Sequence, residues 1–316
     1  MMMAAAHDDE IFVYMGGDQR VPDGVRRARI HKSVKIVPEQ AFYYRQQLIY
    51  VEFHDDIEII EEHAFCGCRL LKGSIKLLGV RIIKAGAFCY CELTDVEFGD
   101  KLETIEHSAF CNTALKKIKM TTVRTIGEEA FDGCEELSDV EFGEPLETLQ
   151  ESAFLNCRKL KRIALPLKDD MIGDDVFYDC PKLTTVDLVG GIHNTVASLH
   201  MESWRSEMMD EINRINQVLP TITGDKTPAI QQWMGSAFRR LDHYKTEHQK
   251  LLKEATTLLE LALWKANLDD NEGGNFVREG VRTTGGSKKR ARKEICVTSG
   301  ADVVIKNVLP FLRLLE

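Results

Sequence analysis

This 316-residue chain carries nine cysteines, whose thiols could ligate a metal or act as nucleophiles. Five of them, Cys68, Cys91, Cys134, Cys157 and Cys180, share one phase of a repeat described below. Cys66, Cys89 and Cys111 form a second row. The resulting Cys66-x-Cys68 and Cys89-x-Cys91 pairs invite a zinc assignment. Their one-residue gap is shorter than the roughly two to four residues between paired cysteines in structural zinc sites. A repeated, buried thiol is the simpler reading, because a reduced cysteine packs as a small apolar group. The nine histidines are scattered. The sequence has no His-Glu-x-x-His, no Gly-x-Ser-x-Gly and no phosphate-cradling glycine run. These residues therefore predict no catalytic, cofactor-binding or metal site, and a protein that is not an enzyme.

The cysteines keep their phase because the chain repeats. Ala-Phe recurs at Phe42, Phe65, Phe88, Phe110, Phe131 and Phe154, and becomes Val-Phe at Phe177. The intervals are 23, 23, 22, 21, 23 and 23 residues. Five residues before each Phe stands Val37, Ile60, Ile83, Ile105, Ile126, Leu149 or Ile172. After it comes Leu-x-x-Val-x-Phe or a variant, as in Leu93-x-x-Val96-x-Phe98 and Leu137-x-x-Val140-x-Phe142. The apolar–polar–apolar end of that segment has period 2, which predicts a short strand with one buried face. With no tight hairpin turn between strands, they should stack in parallel, one per coil. Each unit is too small to bury its own apolar face, so its neighbours must supply the core.

The Ala-Phe-x-x-Cys-x-x-Leu-x-x-Val-x-Phe core resembles the BspA-like leucine-rich repeats over residues 25–190. That resemblance implies a solenoid used for protein interaction or adhesion, and it supplies no catalytic residue. It also implies that outward strand positions contact partners. Those positions form two rows. One holds Glu52, Lys76, Glu97, Lys119 and Glu141, and the other Tyr50, Asp95, Lys117, Asp139 and Arg162. The sign alternates along both rows. Parallel stacking at about 4.8 Å would turn the alternation into ion-pair ladders. A face that neutralises itself suits a polyanion poorly, and the chain's net charge of −9 points the same way. Nucleic acid is therefore not the expected partner.

After Gly190-Gly191 the period changes to a helical one. Leu199, Met208, Ile212, Ile215 and Leu219 form one stripe, and a longer one runs from Ile230 to about Leu268. About 40 helical residues span roughly 60 Å, whereas eight coils stack to about 38 Å. The long helix is thus expected to need a partner beyond the end of the solenoid. The predicted fold class is α+β: a leucine-rich-repeat solenoid with one short parallel strand per coil, then a mostly α-helical C-terminal region. The expected organisation is an N-terminal capping segment (1–24), the solenoid (25–192), a helical hairpin (195–268), a disordered basic linker (269–298) and a C-terminal helix (299–316).

The linker contains Lys288, Lys289, Arg290, Arg292 and Lys293, a candidate localisation signal. Met1–Asp9 does not read as a secretory signal, and no stretch approaches the ~20 apolar residues of a membrane span. With the odd cysteine count, this predicts an intracellular protein, cytoplasmic or nuclear. The expected function is a protein-interaction scaffold whose partners are other proteins, with self-association through the helical region as a further contact. The alternative is a nuclear regulator whose basic segment contacts nucleic acid or directs localisation. An adhesin follows from family analogy alone.

Overall fold

The computed structural model describes residues 11–191, 199 and 201–272, with side chains described as far as Lys265. These residues fall into two units. One contains the solenoid and residues 208–239, and the other contains 196–207 and the chain from Arg240 onward.

In the first unit a long row of short parallel strands runs along one side of the coils. It comprises β1 (Ile11–Tyr14), β2 (Arg27–Ile30), β4 (Tyr50–Glu52), β6 (Lys72–Leu77), β8 (Glu92–Phe98), β10 (Lys117–Met120), β12 (Asp139–Phe142), β14 (Arg162–Leu165) and β15 (Thr185–Leu188). A second row consists of two-residue strands: β3 (Ile36–Val37), β5 (Ile59–Ile60), β7 (Ile82–Ile83), β9 (Thr104–Ile105), β11 (Thr125–Ile126) and β13 (Thr148–Leu149). The second row pairs without a break. The first divides into β1-β2-β4, β6-β8 and β10-β12-β14-β15. The break between β8 and β10 falls between the two units with the shortest approach to their strand. Leu93 and Leu115 stand five residues after their Phe, where other units use six. A register shift opposite Gly73 and Ser74 leaves Thr94 without a partner in β6.

A third row is formed by turns. Phe42 N–H donates to Ala64 O, Phe65 to Ala87, Phe88 to Ala109, Phe110 to Ala130 and Phe131 to Ala153, at 2.7–2.9 Å. The seven phenylalanine rings are fully buried and stack face to face, with centroids 4.8–6.2 Å apart. Each turn holds residues in the left-handed region, for example Tyr44, Gly67, Tyr90, Asn112, Gly133 and Asn156 along one row. Gly67 also needs to be small, because an added Cβ would lie 3.0 Å from the Tyr44 ring.

Both ends of this stack are closed, by residues that lack the repeat signature. At the start, Tyr14 sets its ring edge-on against Phe42, 5.1 Å between centroids. Gln19 donates to Val13 O (3.3 Å) and accepts from Met15 N–H (2.5 Å), which pairs the free edge of β1. At the far end two helices take over: α1 (Glu202–Val218) and, after a short 3₁₀ turn, α2 (Thr227–Glu272). Asn216 accepts from Val186 N–H (2.8 Å) and donates to Val186 O (3.2 Å), so a side-chain amide completes the free edge of β15. Thr227 Oγ1 accepts the Phe177 N–H at 2.8 Å, in the place that a following Ala carbonyl would hold. Gln231 donates to Ile172 O and Gly173 O, closing the short-strand row. The buried Lys226 ammonium donates to Pro181 O and Leu183 O, and burial lowers its pKa.

The long helix therefore does have the solenoid end as a partner, over its first three turns. Ile212, Ile215, Leu219, Ile230, Trp233, Met234 and Ala237 are buried here. Trp233 Nε1 donates to Glu211 O and Ser236 Oγ to the Glu211 carboxylate, binding α1 to α2. Asp169, where earlier units bury an apolar residue, is exposed, and an added Cβ on Gly235 would come 3.1 Å from its Oδ1. In the second unit Trp204 stacks on Tyr244, centroids 5.0 Å apart, and the Tyr244 hydroxyl donates to Glu207. Leu258, Leu261, Leu263 and Trp264 are exposed.

Candidate interaction surface

Strand geometry decides which charges meet. A parallel ladder places Lys117 beside Asp139, Lys119 beside Glu141, and Asp139 beside Arg162. All ten outward strand residues lie at the surface or half-buried. Lys76 pairs with Glu97 at 2.7 Å and Lys119 with Glu141 at 2.6 Å. Arg162 bridges Asp139 (3.0 Å) and Asp187 (2.6 Å), and Arg29 extends the series to Glu52 (2.7 Å). Tyr50 carries the Arg27 guanidinium over its ring at 5.1 Å, and Asp95 accepts from Ser74 at 3.1 Å.

The ladders are segmented. Among the described residues no ion pair joins Glu52 to Lys76, Glu97 to Lys119, or Lys117 to Asp95 or Asp139. The gaps at 52/76 and 97/119 coincide with the two breaks in strand hydrogen bonding. Where β8 and β10 separate, an open groove of about 520 Å³ forms, lined by Asp95, Glu97, Phe98, Lys117, Lys119, Asp139 and Glu141. A second recess of about 580 Å³ lies against α1, between Glu141, Arg162, Asp187, Gly190, Met209 and Asn213. The same alternation runs along another row that sequence reading passed over: Lys35–Glu58 (3.5 Å), Arg81–Glu103 (3.3 Å) and Arg124–Glu147 (2.7 Å). Exposed pairs of this kind add little stability, so their regularity governs the surface potential more than the fold. The candidate localisation residues Lys288, Lys289, Arg290, Arg292 and Lys293 lie outside the described residues.

The two cysteine rows are chemically distinct. Thiols of the inward row each donate to the Phe carbonyl one coil back: Cys68 to Phe42 O, Cys91 to Phe65 O, Cys134 to Phe110 O, Cys157 to Phe131 O and Cys180 to Phe154 O, at 3.0–3.3 Å. Thr113, which replaces Cys in one unit, donates instead to the Phe110 O of its own coil (2.9 Å), the carbonyl that also accepts from Cys134. The position thus carries a hydrogen-bond donor in every unit, including Arg45 of the first, whose Nε donates to Val21 O at 2.8 Å, a constraint that hydrophobic periodicity does not register. Burial pushes the Cys68, Cys134 and Cys180 thiols up to about 12. Because the thiolate is the reactive form, we predict that alkylation of the folded protein at pH 8 leaves all five inward cysteines unmodified, and that denaturant releases them. Peptide mapping checks this; rapid labelling of Cys134 in the native state would contradict it. Among the described residues, no group of three or more His, Cys, Asp or Glu side chains is placed to hold a metal ion, and no helix is long and apolar enough to cross a membrane.

Stacked coils with one short parallel strand each, continuous Leu/Ile/Phe ladders and a polar outward strand face define a leucine-rich-repeat solenoid. More specifically, the chain belongs to the family of the BspA type leucine rich repeat region, whose model matches six copies over residues 24–122 and 81–203. Leucine-rich-repeat proteins are in general protein-interaction scaffolds, typically without enzymatic activity. Among solved structures, the chain is similar to the T. pallidum leucine rich repeat protein, with 22% identity over 56% of this chain and 68% of that one (TM-score 0.36). It is also similar to a leucine-rich repeat protein from Bacteroides ovatus, with 21% identity over 52% and 55% (TM-score 0.33). A third similar structure is the pneumococcal vaccine antigen PcpA, with 19% identity over 52% and 51% (TM-score 0.33). No curated protein matches the sequence.

Proposed function

We propose that this protein is an intracellular, non-enzymatic scaffold that binds a folded protein partner through the outward strand face, centred on the groove between β8 and β10. The observation that carries this proposal is the segmentation of the charge ladder. Lys117 stands between Asp95 and Asp139 without an ion-pair partner among the described residues, and the groove beside it holds a half-buried Phe98. Interspersed charges of both signs around an apolar floor favour a partner of matching mixed charge over a polyanion. The helical module supplies a second contact, through the exposed Leu258, Leu261, Leu263 and Trp264.

The test is affinity purification of full-length protein followed by mass spectrometry, wild type against Lys117→Gln/Lys119→Gln. Both side chains project from the surface, so the double variant is expected to keep its unfolding midpoint and lose its specific partner. A partner set unchanged in the double variant, but lost in Leu258→Ser/Trp264→Ser, would move the primary contact to the helix.

A further inference from the structure

The outer cysteine row has a geometry that the interaction surface does not use. Cys66, Cys89 and Cys111 follow their Phe directly in three consecutive coils, and form a cluster separate from the main core, each about 7% exposed. Neighbours in sequence are not neighbours here: Cys68 and Cys91 point to Phe42 O and Phe65 O, in the other row. The contacts run between coils. Gly67 N–H donates to Cys89 O (2.8 Å) and Tyr90 N–H to Cys111 O (2.9 Å), which holds the three backbones at the coil repeat. That repeat, about 4.8 Å, lies inside the roughly 4.4–6.8 Å between α-carbons that a disulfide spans. Cys89, on the middle coil, lies between Cys66 and Cys111 in this cluster. Cys111 Sγ also accepts from Asn112 Nδ2 at 2.9 Å.

We propose that this row is a site of reversible thiol oxidation by hydroperoxides, with Cys111 as the attacking thiol and Cys89 as the resolving one. Cys111 thiolate attacks a peroxide oxygen and becomes a sulfenic acid, and the released hydroxide or alkoxide takes up a proton. Cys89 sulfur then attacks Cys111 sulfur, forming the disulfide. The Cys89 proton leaves with the sulfenic hydroxyl as water. The sum is two thiols plus hydrogen peroxide giving one disulfide and two waters. A dithiol reductant reverses it.

The Asn112 amide, donating to Cys111 Sγ at 2.9 Å, favours its thiolate, while the longer contact in which Cys111 Sγ donates to Asp132 Oδ2 (3.9 Å) opposes it. The Cys89 thiol and the Asn112 amide lower the Cys111 pKa against burial and the Asp132 and Glu129 carboxylates, while Cys89 itself is raised. Cys66, on the other side of Cys89, is also lowered by Cys89, and can displace Cys111 by thiol–disulfide exchange. The inward row, donating to carbonyls inside the core, stays reduced.

The test treats full-length protein with one equivalent of hydrogen peroxide, then maps peptides without reduction. The expected product is a Cys89–Cys111 cross-link, lighter by two hydrogens, with all five inward cysteines still free thiols and the link removed by dithiothreitol. Cys89→Ser should abolish the link and leave a Cys111 sulfenic acid that dimedone traps. Asn112→Leu should slow formation several-fold. Oxidation of inward-row cysteines first, only intermolecular disulfides, or Cys111 reacting no faster in the native than in the urea-unfolded protein would each overturn the proposal.

Discussion

Phe131→Ala is expected to destabilise the solenoid by about 3–5 kcal/mol. Phe131 is fully buried, and its ring lies between Phe110 and Phe154 at 5.5 and 5.2 Å. Truncation removes the ring and both stacking contacts. The coil backbone on either side is held by Phe131 N–H to Ala153 O and Phe110 N–H to Ala130 O, so the cavity collapses poorly. Stability in a solenoid is close to a sum of units and nearest-neighbour interfaces, and one mid-stack residue serves two interfaces. Urea unfolding of wild type and variant measures the effect. A lower midpoint is expected, with Tyr178→Ala, half exposed at the surface, as the near-neutral control. A Phe131→Ala midpoint equal to that control would mean that the ring ladder is not a principal source of stability.

Removing the terminal cap should have an even larger effect. A chain ending at Thr195 loses Ile212, Ile215, Leu219, Ile230, Trp233 and Met234, each contributing about 1.5–3 kcal/mol through burial. It also strips Asn216 from Val186, Thr227 from Phe177 and Gln231 from Ile172 and Gly173. The result is a bare parallel edge beside an open Phe ladder, the kind of surface on which strands of another copy add. Aggregation or loss of folded protein is expected by light scattering and circular dichroism. The milder Asn216→Leu leaves one N–H and one C=O of Val186 unpaired, at about 1–3 kcal/mol for each group left buried and unsatisfied. A truncated chain that remains monomeric, with the wild-type melting temperature, would show that the helices do not cap the stack.

These two expectations differ in how far the sequence announces them. The Phe ladder, the inward cysteines and the strand face are periodic, so the same signal is repeated in five to seven units and one damaged copy does not hide it. The cap uses each residue once. Asn216, Lys226, Thr227 and Gln231 have ordinary identities, and their roles come from backbone groups 30–59 residues away that only the folded stack brings near. Gln19 and Tyr14 are the same case at the other end. The segmentation of the charge ladder lies between these extremes. The intervals of 22 and 21 residues and the early Leu93 and Leu115 are visible in the chain. What they do to hydrogen bonding between β8 and β10, and hence to Lys117, follows only from three-dimensional register. The cysteines divide for a similar reason: residues two apart in sequence face different rows, and spacing along the chain says nothing of the carbonyls they meet.

The scaffold proposal places the partner on the strand face, and amide hydrogen exchange of the full-length protein with and without its purified partner tests this most directly. The predicted result is slowed exchange in the segments spanning Glu92–Phe98, Lys117–Met120 and Asp139–Phe142, around the groove of about 520 Å³. Protection confined to α2, with these three strands exchanging as in the free protein, would contradict it.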